Sequence, residues 1–571
     1  MDRNYTPKQL NDLGDKHFYG KTIEKNIEVA YTYYKKAADM NNPVGIYNVG
    51  KYYQAKKALK KAFYYYEKAT ELDYGKAYLK LYQFYLDGLG IRKSKKRAFK
   101  ALKQAIDTQE VSAYHLLGKL YEEGIGTKKN LDKAYDLYEL SANKNNKEGM
   151  YLLGEFLLKQ KNKDREHENA FYWLDKAASL GYKQAILRLK SLYNEPHPYL
   201  EKRSKLYLEE MIFHYDELLA KLADLNALKR VASAYYEGRT FLQVNYEKAY
   251  KYFRALHEAD EILGYLGLAK LFLFGLGIKK DYDRAIDHLE IASSRNNSEA
   301  KYLIGEMYRH GYGVEKDYNK AKEYYLAAAE DNLVDGLINL SLLHYRKQIK
   351  NSSFLQAFTY IKRAVEKKSP KAYFWLGLYY ELGIGTDKNI NESIKAYKNA
   401  IQLGNNASRY KLANLYYKQI QKVKQSKRKQ ASIFKEIKEL LFTYLDNVDS
   451  DNRLKAMYLL GDLYKEENFS ENSAKISRYY YELAAENGYS KAMNRLYEIF
   501  KETDFSRALS WLEKACVNPS DGEELYLLAN LYETGYKSVK KDLVKAENLL
   551  TKAAELNYSK AKEKLMFENN K

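Results

Sequence analysis

The stretch Ala113-Tyr114-His115-Leu116-Leu117-Gly118-Lys119-Leu120-Tyr121-Glu122-Glu123-Gly124-Ile125-Gly126 does not stand alone in this chain. The same pattern returns around Gly154, Gly305 and Gly377, and more weakly around Gly14, Gly50 and Gly461. Where the small anchor residue is replaced, the frame persists: Tyr82, Lys190, Ala232, Ala269, Ser341, Ala413, Tyr497 and Ala529. Nine of the steps between successive anchors are 36 residues, and the others are 32 (twice), 37, 42 and 48. A period of this size, kept along 571 residues, marks a stack of supersecondary units rather than several globular domains.

Each unit has two halves. In the first, Ala300, Ile304 and Tyr308 lie four apart and so share one helical face. Gly305 is small because a neighbouring helix must approach it closely. The second half carries Lys320-Ala321, Tyr324-Tyr325 and Ala327-Ala328-Ala329, again at helical spacing. Between the halves lies a glycine-bearing turn, and an Asn or Gly closes the second helix, as at Asn332, Gly181, Gly404 and Gly488. Those residues readily take the left-handed conformation that ends a helix. The 60 tyrosines would elsewhere favour strands, but among Ala, Lys and Glu at this spacing, with only 6 prolines, helix prevails.

The order Ala-x-x-x-Leu-Gly-x-Leu-Tyr-x-x-Gly-x-Gly, followed by Lys-Ala, an aromatic pair and Lys-Ala-Ala, resembles the Sel-1-like repeat, a relative of the tetratricopeptide repeat. The resemblance covers residues 6–571, is most faithful in 113–145, 299–332 and 372–404, and is poorest in 195–230 and 418–455. It implies an all-α, right-handed solenoid superhelix of about fifteen antiparallel helix-pair repeats, whose first helices line a concave face. It also implies a scaffold or adaptor role.

Two interruptions divide the expected arrays. An N-terminal array covers 1–194, followed by a proline-containing helical interruption at 195–230, where Glu195-Pro196-His197-Pro198 disfavours a continuous helix. A central array covers 231–417, a basic, lengthened helical insertion 418–455, and a C-terminal array 456–571. The insertion holds the run Lys418-Gln419-Ile420-Gln421-Lys422-Val423-Lys424-Gln425-Ser426-Lys427-Arg428-Lys429, which reads as a lengthened helix pair or a polar excursion between helices.

The formal charge of +21 draws acidic partners at long range, but the lysines are spread along the chain as on a solvated helix surface. Cys516 is the only cysteine, so no intramolecular disulfide and no Cys-based zinc site can form. It stands where the repeat wants a small Ala and reads as a buried, inert thiol. No secretion-type apolar leader and no membrane-length apolar run occur, so a cytoplasmic location is expected. The Gly-x-Gly turns at 88/90, 124/126, 275/277, 311/313 and 383/385 lack the third glycine and preceding strand of a phosphate loop and read as structural turns. The nine histidines show no zinc-ligand spacing, and no Gly-x-Ser-x-Gly nucleophile elbow appears. No catalytic site, metal or cofactor is expected.

The candidate binding face is carried by slots three before, one after and four after each anchor. Three before it stand Tyr47, Tyr151, Tyr302, Phe374, Tyr410, Tyr458 and Tyr526. Either these aromatics pack between adjacent repeats, or they form a ladder along the groove with large contact area and polar tips. With His115, Lys119, Glu122, Arg309, Tyr345, Glu381 and Tyr417, they make a face of mixed sign that suits a protein or peptide better than a uniform polyanion. The expected function is a non-catalytic protein–protein interaction scaffold. Two alternatives stand beside it: an inhibitor or immunity-type protein wrapping one toxin or enzyme, and a solenoid for single-stranded nucleic acid. Neither the partner's identity nor the oligomeric state is encoded in these residues.

Overall fold

Most helices of the chain are twelve or thirteen residues long, and their ends are chemically marked. Side-chain oxygens of Asn130, Asn297 and Ser369 accept from Lys133, Ala300 and Ala372 backbone N–H groups at the starts. First helices stop where Gly124, Gly311 and Gly383 turn left-handed, with φ of 72°, 75° and 74°. Second helices stop at left-handed Asn145, Gly181, Asn332 and Gly404. Three of these four second-helix stops (Gly181, Asn332 and Gly404) are residues the sequence marks as closing a helix.

The computed structural model describes residues 5–20, 23–159, 164–422, 427–446, 451–467 and 471–568. Among the described residues, thirty-one α-helices run from Pro7–Tyr19 to Ser559–Glu568, with one 3-10 turn at Pro198–Leu200 and no strand. They form fifteen successive pairs and one closing helix. The chain divides into two compact units, Met1–His288 and Leu289–Lys571. Within each, successive helices pack on one another, as Gly75–Asp87 on Lys95–Asp107 and Pro370–Leu382 on Ile390–Gln402. First helices of neighbouring repeats also touch directly, as Pro7–Tyr19 touches Pro43–Ala55 in one unit and Ala407–Lys422 touches Asp451–Glu467 in the other.

The two interruptions resolve into ordinary pairs with altered lengths. After Lys183–Asn194 the chain makes a loop through Pro198–Leu200, and Lys205–Lys221 then packs back as the second helix. Asp216 of that helix is buried and binds both Lys190 and Arg230. In the 418–455 region, Ala407–Lys422 has 16 residues and Lys427–Leu445 has 19. Of the basic run, Val423, Lys424, Gln425 and Ser426 lie outside the described residues. Lys418 reaches Glu381, and Arg428 and Lys429 are exposed.

Candidate partner-binding face

Six of the seven anchor glycines make room for tyrosines, and Gly154 faces Leu174. A Cβ on Gly305 would stand 2.7 Å from Cε1 of Tyr325, and one on Gly377 2.6 Å from Cδ1 of Tyr397. The same approach recurs at Gly14 with Tyr34, Gly50 with Tyr66, Gly118 with Tyr138 and Gly461 with Tyr481. All six rings come from the second helix of the same repeat and are fully buried. Gly305 therefore has the packing role its sequence suggests, and the close neighbour is a tyrosine ring.

A buried phenol must place its hydroxyl on an acceptor. Here the acceptor stands one or four residues after the anchor. Tyr34 donates to Asp15 at 2.7 Å, Tyr66 to Gln54 at 2.6 Å, Tyr138 to Glu122 at 2.7 Å, Tyr397 to Glu381 at 2.9 Å and Tyr481 to Asp462 at 2.7 Å. Tyr325 donates to Glu306. Burial first, then the facing carboxylate, holds Tyr138, Tyr325, Tyr397 and Tyr481 far above the usual phenol range, so each stays a donor.

Most of these carboxylates are then met from the next repeat. Lys51 reaches Asp15 at 3.3 Å, Lys159 reaches Glu122 at 2.7 Å, and Arg495 reaches Asp462 at 3.7 Å. Lys418 meets Glu381 at 3.7 Å, and the Asn339 carboxamide donates to Glu306 at 2.6 Å. Arg188 and Glu155 add a pair of the same kind at 2.7 Å. Individually such exposed pairs contribute about 0–1 kcal/mol. Together they form a ladder that fixes side-chain positions along the first-helix face. Environment decides how each carboxyl titrates. Burial pushes Glu122 up, but Lys159 and Tyr138 outweigh it and hold it below the ordinary value. At Asp462 burial dominates and the carboxyl is raised.

The candidate residues thus separate by what already engages them. Glu122 and Glu381 are held within the ladder, and Arg309 faces Glu306 at 3.3 Å. Tyr417 donates to Glu466 at 2.7 Å. The aromatics three before the anchors are half-buried and rest on rings of their own or the following repeat: Tyr151 on Tyr182, Tyr302 on Tyr325, Phe374 on Tyr397, Tyr410 on Tyr444. Tyr345 lies against Tyr379, with ring centroids 5.7 Å apart. His115 is half-buried, with its Nδ1 unpartnered, and burial pulls it below the ordinary imidazole value against the pull of Glu148. Lys119 is exposed and only loosely paired with Glu123 at 3.8 Å. His115, Lys119, Glu122 and Tyr151 belong to the first unit and the others to the second, so the set makes two separate faces.

Both glycines of each Gly-x-Gly turn have positive φ, and a Cβ on Gly385 would collide with the carbonyl oxygen of Phe354. Burial pushes the Cys516 thiol up to about 12, which keeps it protonated. Among the described residues no cluster of His, Cys, Asp and Glu is placed to hold a metal, and no helix is long and apolar enough to cross a membrane.

One feature of the first-helix face lies outside the sequence-derived set. A hollow of about 520 Å³ opens between Tyr47, the helix Gly75–Asp87 and the start of the helix Val111–Glu123. Leu79, Leu86 and Leu116 wall it, and Lys80 projects into it. The available signal was an anchor, Tyr82, followed at one and four residues by Gln83 and Leu86 instead of an acid.

No curated protein matches the chain. Among solved structures, it resembles c5321, a protective antigen of uropathogenic Escherichia coli displaying an SLR fold, at 19% identity over 86% of this chain and 94% of that one, with a TM-score of 0.37. It also resembles a Sel1 repeat protein from Oxalobacter formigenes (25% identity, 38% and 88% coverage, TM-score 0.33). The immunity protein Pa5087 from Pseudomonas aeruginosa is a further likeness (20% identity, 38% and 81% coverage, TM-score 0.21). Superpositions this loose carry nothing about function. The family model is decisive. The Sel1 repeat model matches residues 10–42, 43–74, 76–107, 111–146, 147–182, 225–255, 262–297, 298–333, 370–405, 454–489, 494–516 and 525–558. The helix pairs it passes over are those beginning at Lys183, Val334 and Ala407, which fold as pairs all the same. With twelve matched repeats covering well over half its length, the chain belongs to the Sel1 repeat family.

Proposed function

We propose that this chain is a non-catalytic scaffold that binds a protein or peptide on the face of its first helices. The observation that carries the reading is the ladder of tyrosine, carboxylate and cation. Within each unit it holds the first-helix face in one arrangement before any partner arrives, and a preorganised surface loses less entropy on binding. Half-buried tyrosines with exposed edges stand along it, and such rings give large contact area at low entropic cost. The repeats contribute side by side, and no covalent step is involved.

The test is quantitative capture with the full chain as bait, followed by mass spectrometry. Lys119→Glu alters the first-helix face, and Tyr64→Ser alters an exposed second-helix position, 57% accessible. A partner recovered at a fixed stoichiometry, weakened by the first variant and kept by the second, is the expected result. A partner insensitive to Lys119→Glu but lost with Tyr64→Ser would move the interface to the other face, against the proposal. Capture of one toxin or enzyme alone would sharpen the reading to the inhibitor alternative. Retention of a single-stranded oligonucleotide at about 0.15 M salt, where charge is screened beyond about 8 Å, would replace it with nucleic-acid binding.

A further inference from the structure

The hollow at Lys80 lies where the ladder lapses. Its repeat carries Tyr82 as anchor and Leu102 as the buried second-helix residue, so no second-helix tyrosine hydroxyl is presented, and no carboxylate stands one or four residues after the anchor. Lys80 is left half-buried with no hydrogen-bond or ion-pair partner among the described residues, while nearby Lys51 is held by Asp15. Burial, with the neighbouring Lys51, pulls the Lys80 ammonium below its ordinary value, and no carboxylate offsets that pull. A half-buried cation without a partner gains most from an anion that also excludes water.

The rest of the hollow narrows the class of anion. Asp87 and Glu110 line its margin, so a polyanion such as a nucleic-acid backbone or a phosphate cluster meets repulsion there. One carboxylate flanked by apolar groups does not. Leu79, Leu86 and Leu116 offer a surface for a large apolar side chain, and the volume of about 520 Å³ accommodates two or three residues of an extended segment.

We propose that this hollow seats a short acidic segment of a protein partner, with one Asp or Glu carboxylate on Lys80 and an adjacent large apolar side chain against the three leucines. The proposal rests on the reading of the chain as a protein-binding scaffold.

The experiment pans a random phage-displayed peptide library against the full chain and measures the enriched peptides by fluorescence anisotropy. The expected peptides share an acidic residue next to a large apolar one. Lys80→Met should weaken them at least about tenfold, in line with loss of a charge-assisted hydrogen bond. Changing the peptide acid to its amide should cost the same and add nothing in the Lys80→Met background. Gln83→Glu, which places an internal carboxylate in the same hollow three residues from Lys80, should also weaken binding, and it keeps the lysine in case Lys80→Met perturbs the fold. Tyr64→Ser, on the exposed second-helix surface, should leave the peptides unaffected. Peptides without an acid, binding indifferent to both hollow variants, or no enrichment at all would each overturn the proposal. The two readings fail separately. A captured native partner that binds Lys80→Met at full strength removes the hollow and leaves the scaffold. Absence of any stoichiometric partner removes the scaffold.

Discussion

The repeats at 298–333 and 76–107 both match the family model, yet they fill the same core space in opposite ways. In the first, Gly305 faces Tyr325. In the second, Tyr82 packs into the cluster around Leu102, and both Tyr325 and Leu102 are fully buried. Tyr497 with Leu512, and Ala529 with Leu550, continue the trade. Volume is thus exchanged across a helix pair, as close packing requires, while the backbone frame stays the same. The exchange has an electrostatic by-product. Where the tyrosine comes from the second helix, its hydroxyl holds a carboxylate on the first-helix face in five of the six cases, and Gln54 in the sixth. In the Tyr82 repeat leucine replaces it, Gln83 and Leu86 stand where an acid could follow, and Lys80 has no carboxylate partner, whereas the repeat of Gly154 and Leu174 keeps Glu155.

The strongest way to break this comparison is to violate the trade. Gly305→Leu drives a side chain into the Tyr325 ring and should destabilise by on the order of 1–3 kcal/mol. Lys119→Ala, on an exposed face, should stay within about 0.5 kcal/mol. The pair Gly305→Ala with Tyr325→Leu imitates Ala529 with Leu550 and should be less destabilised than the sum of its singles, by about 0.5–3 kcal/mol. Amide hydrogen exchange within 298–333 reads this locally. Strict additivity would show that the two positions do not share one volume.

The repeat frame, the helix ends and the role of the glycine turns were legible in the sequence because each depends on contacts within one period. Gly305 could be read as a close-approach site, since no other residue recurs there so consistently. The fate of Glu122 and Glu381 was less accessible. Both stood out as mixed-charge groove residues, but their partners, Tyr138 with Lys159 and Tyr397 with Lys418, are 16 to 37 residues away. Those contacts depend on rotamers and repeat rise rather than on spacing. Lys80 left a fainter trace: Gln83 and Leu86 after Tyr82 mark only a missing acid, and several other anchors lack one too, Lys190 and Ala232 among them.

A smaller effect tests the by-product itself. Tyr325→Phe keeps the ring against Gly305 and removes only the hydroxyl from Glu306, so it should destabilise by about 1–2 kcal/mol. The acid side of the stability curve then separates ladder members. Glu122 has a lowered folded value, so its stabilisation is complete above the ordinary 4.5 and is lost as pH falls through the folded value. Glu122→Gln should therefore flatten that acid loss. Asp462 is raised above 3.8, so the folded state gains on protonation and loses stability as pH rises through the folded value. Asp462→Asn should remove a decline of opposite sign. Thermal unfolding between about pH 3 and pH 7 reads both slopes, and slopes of the same sign would show that burial does not distinguish the two carboxyls.

The smallest expected effect concerns where the two compared repeats end. The second helix of the Tyr82 repeat closes at Gln109 with φ 61°, and that of the Gly305 repeat closes at Asn332 with φ 68°. A left-handed residue with a Cβ is strained by roughly 1–2 kcal/mol, which glycine avoids at an entropic penalty of about 0.5–1 kcal/mol. Asn tolerates this region better than Gln. The Asn332 carboxamide also accepts from Lys367 at 2.8 Å, an interaction glycine would forfeit. Gln109→Gly should therefore stabilise by about 0.5–1 kcal/mol, while Asn332→Gly should be near neutral or slightly destabilising. Paired unfolding curves of the two variants settle the sign. If Asn332→Gly gained as much as Gln109→Gly, both ends would be equally strained, and the difference between the repeats would reside in their cores alone.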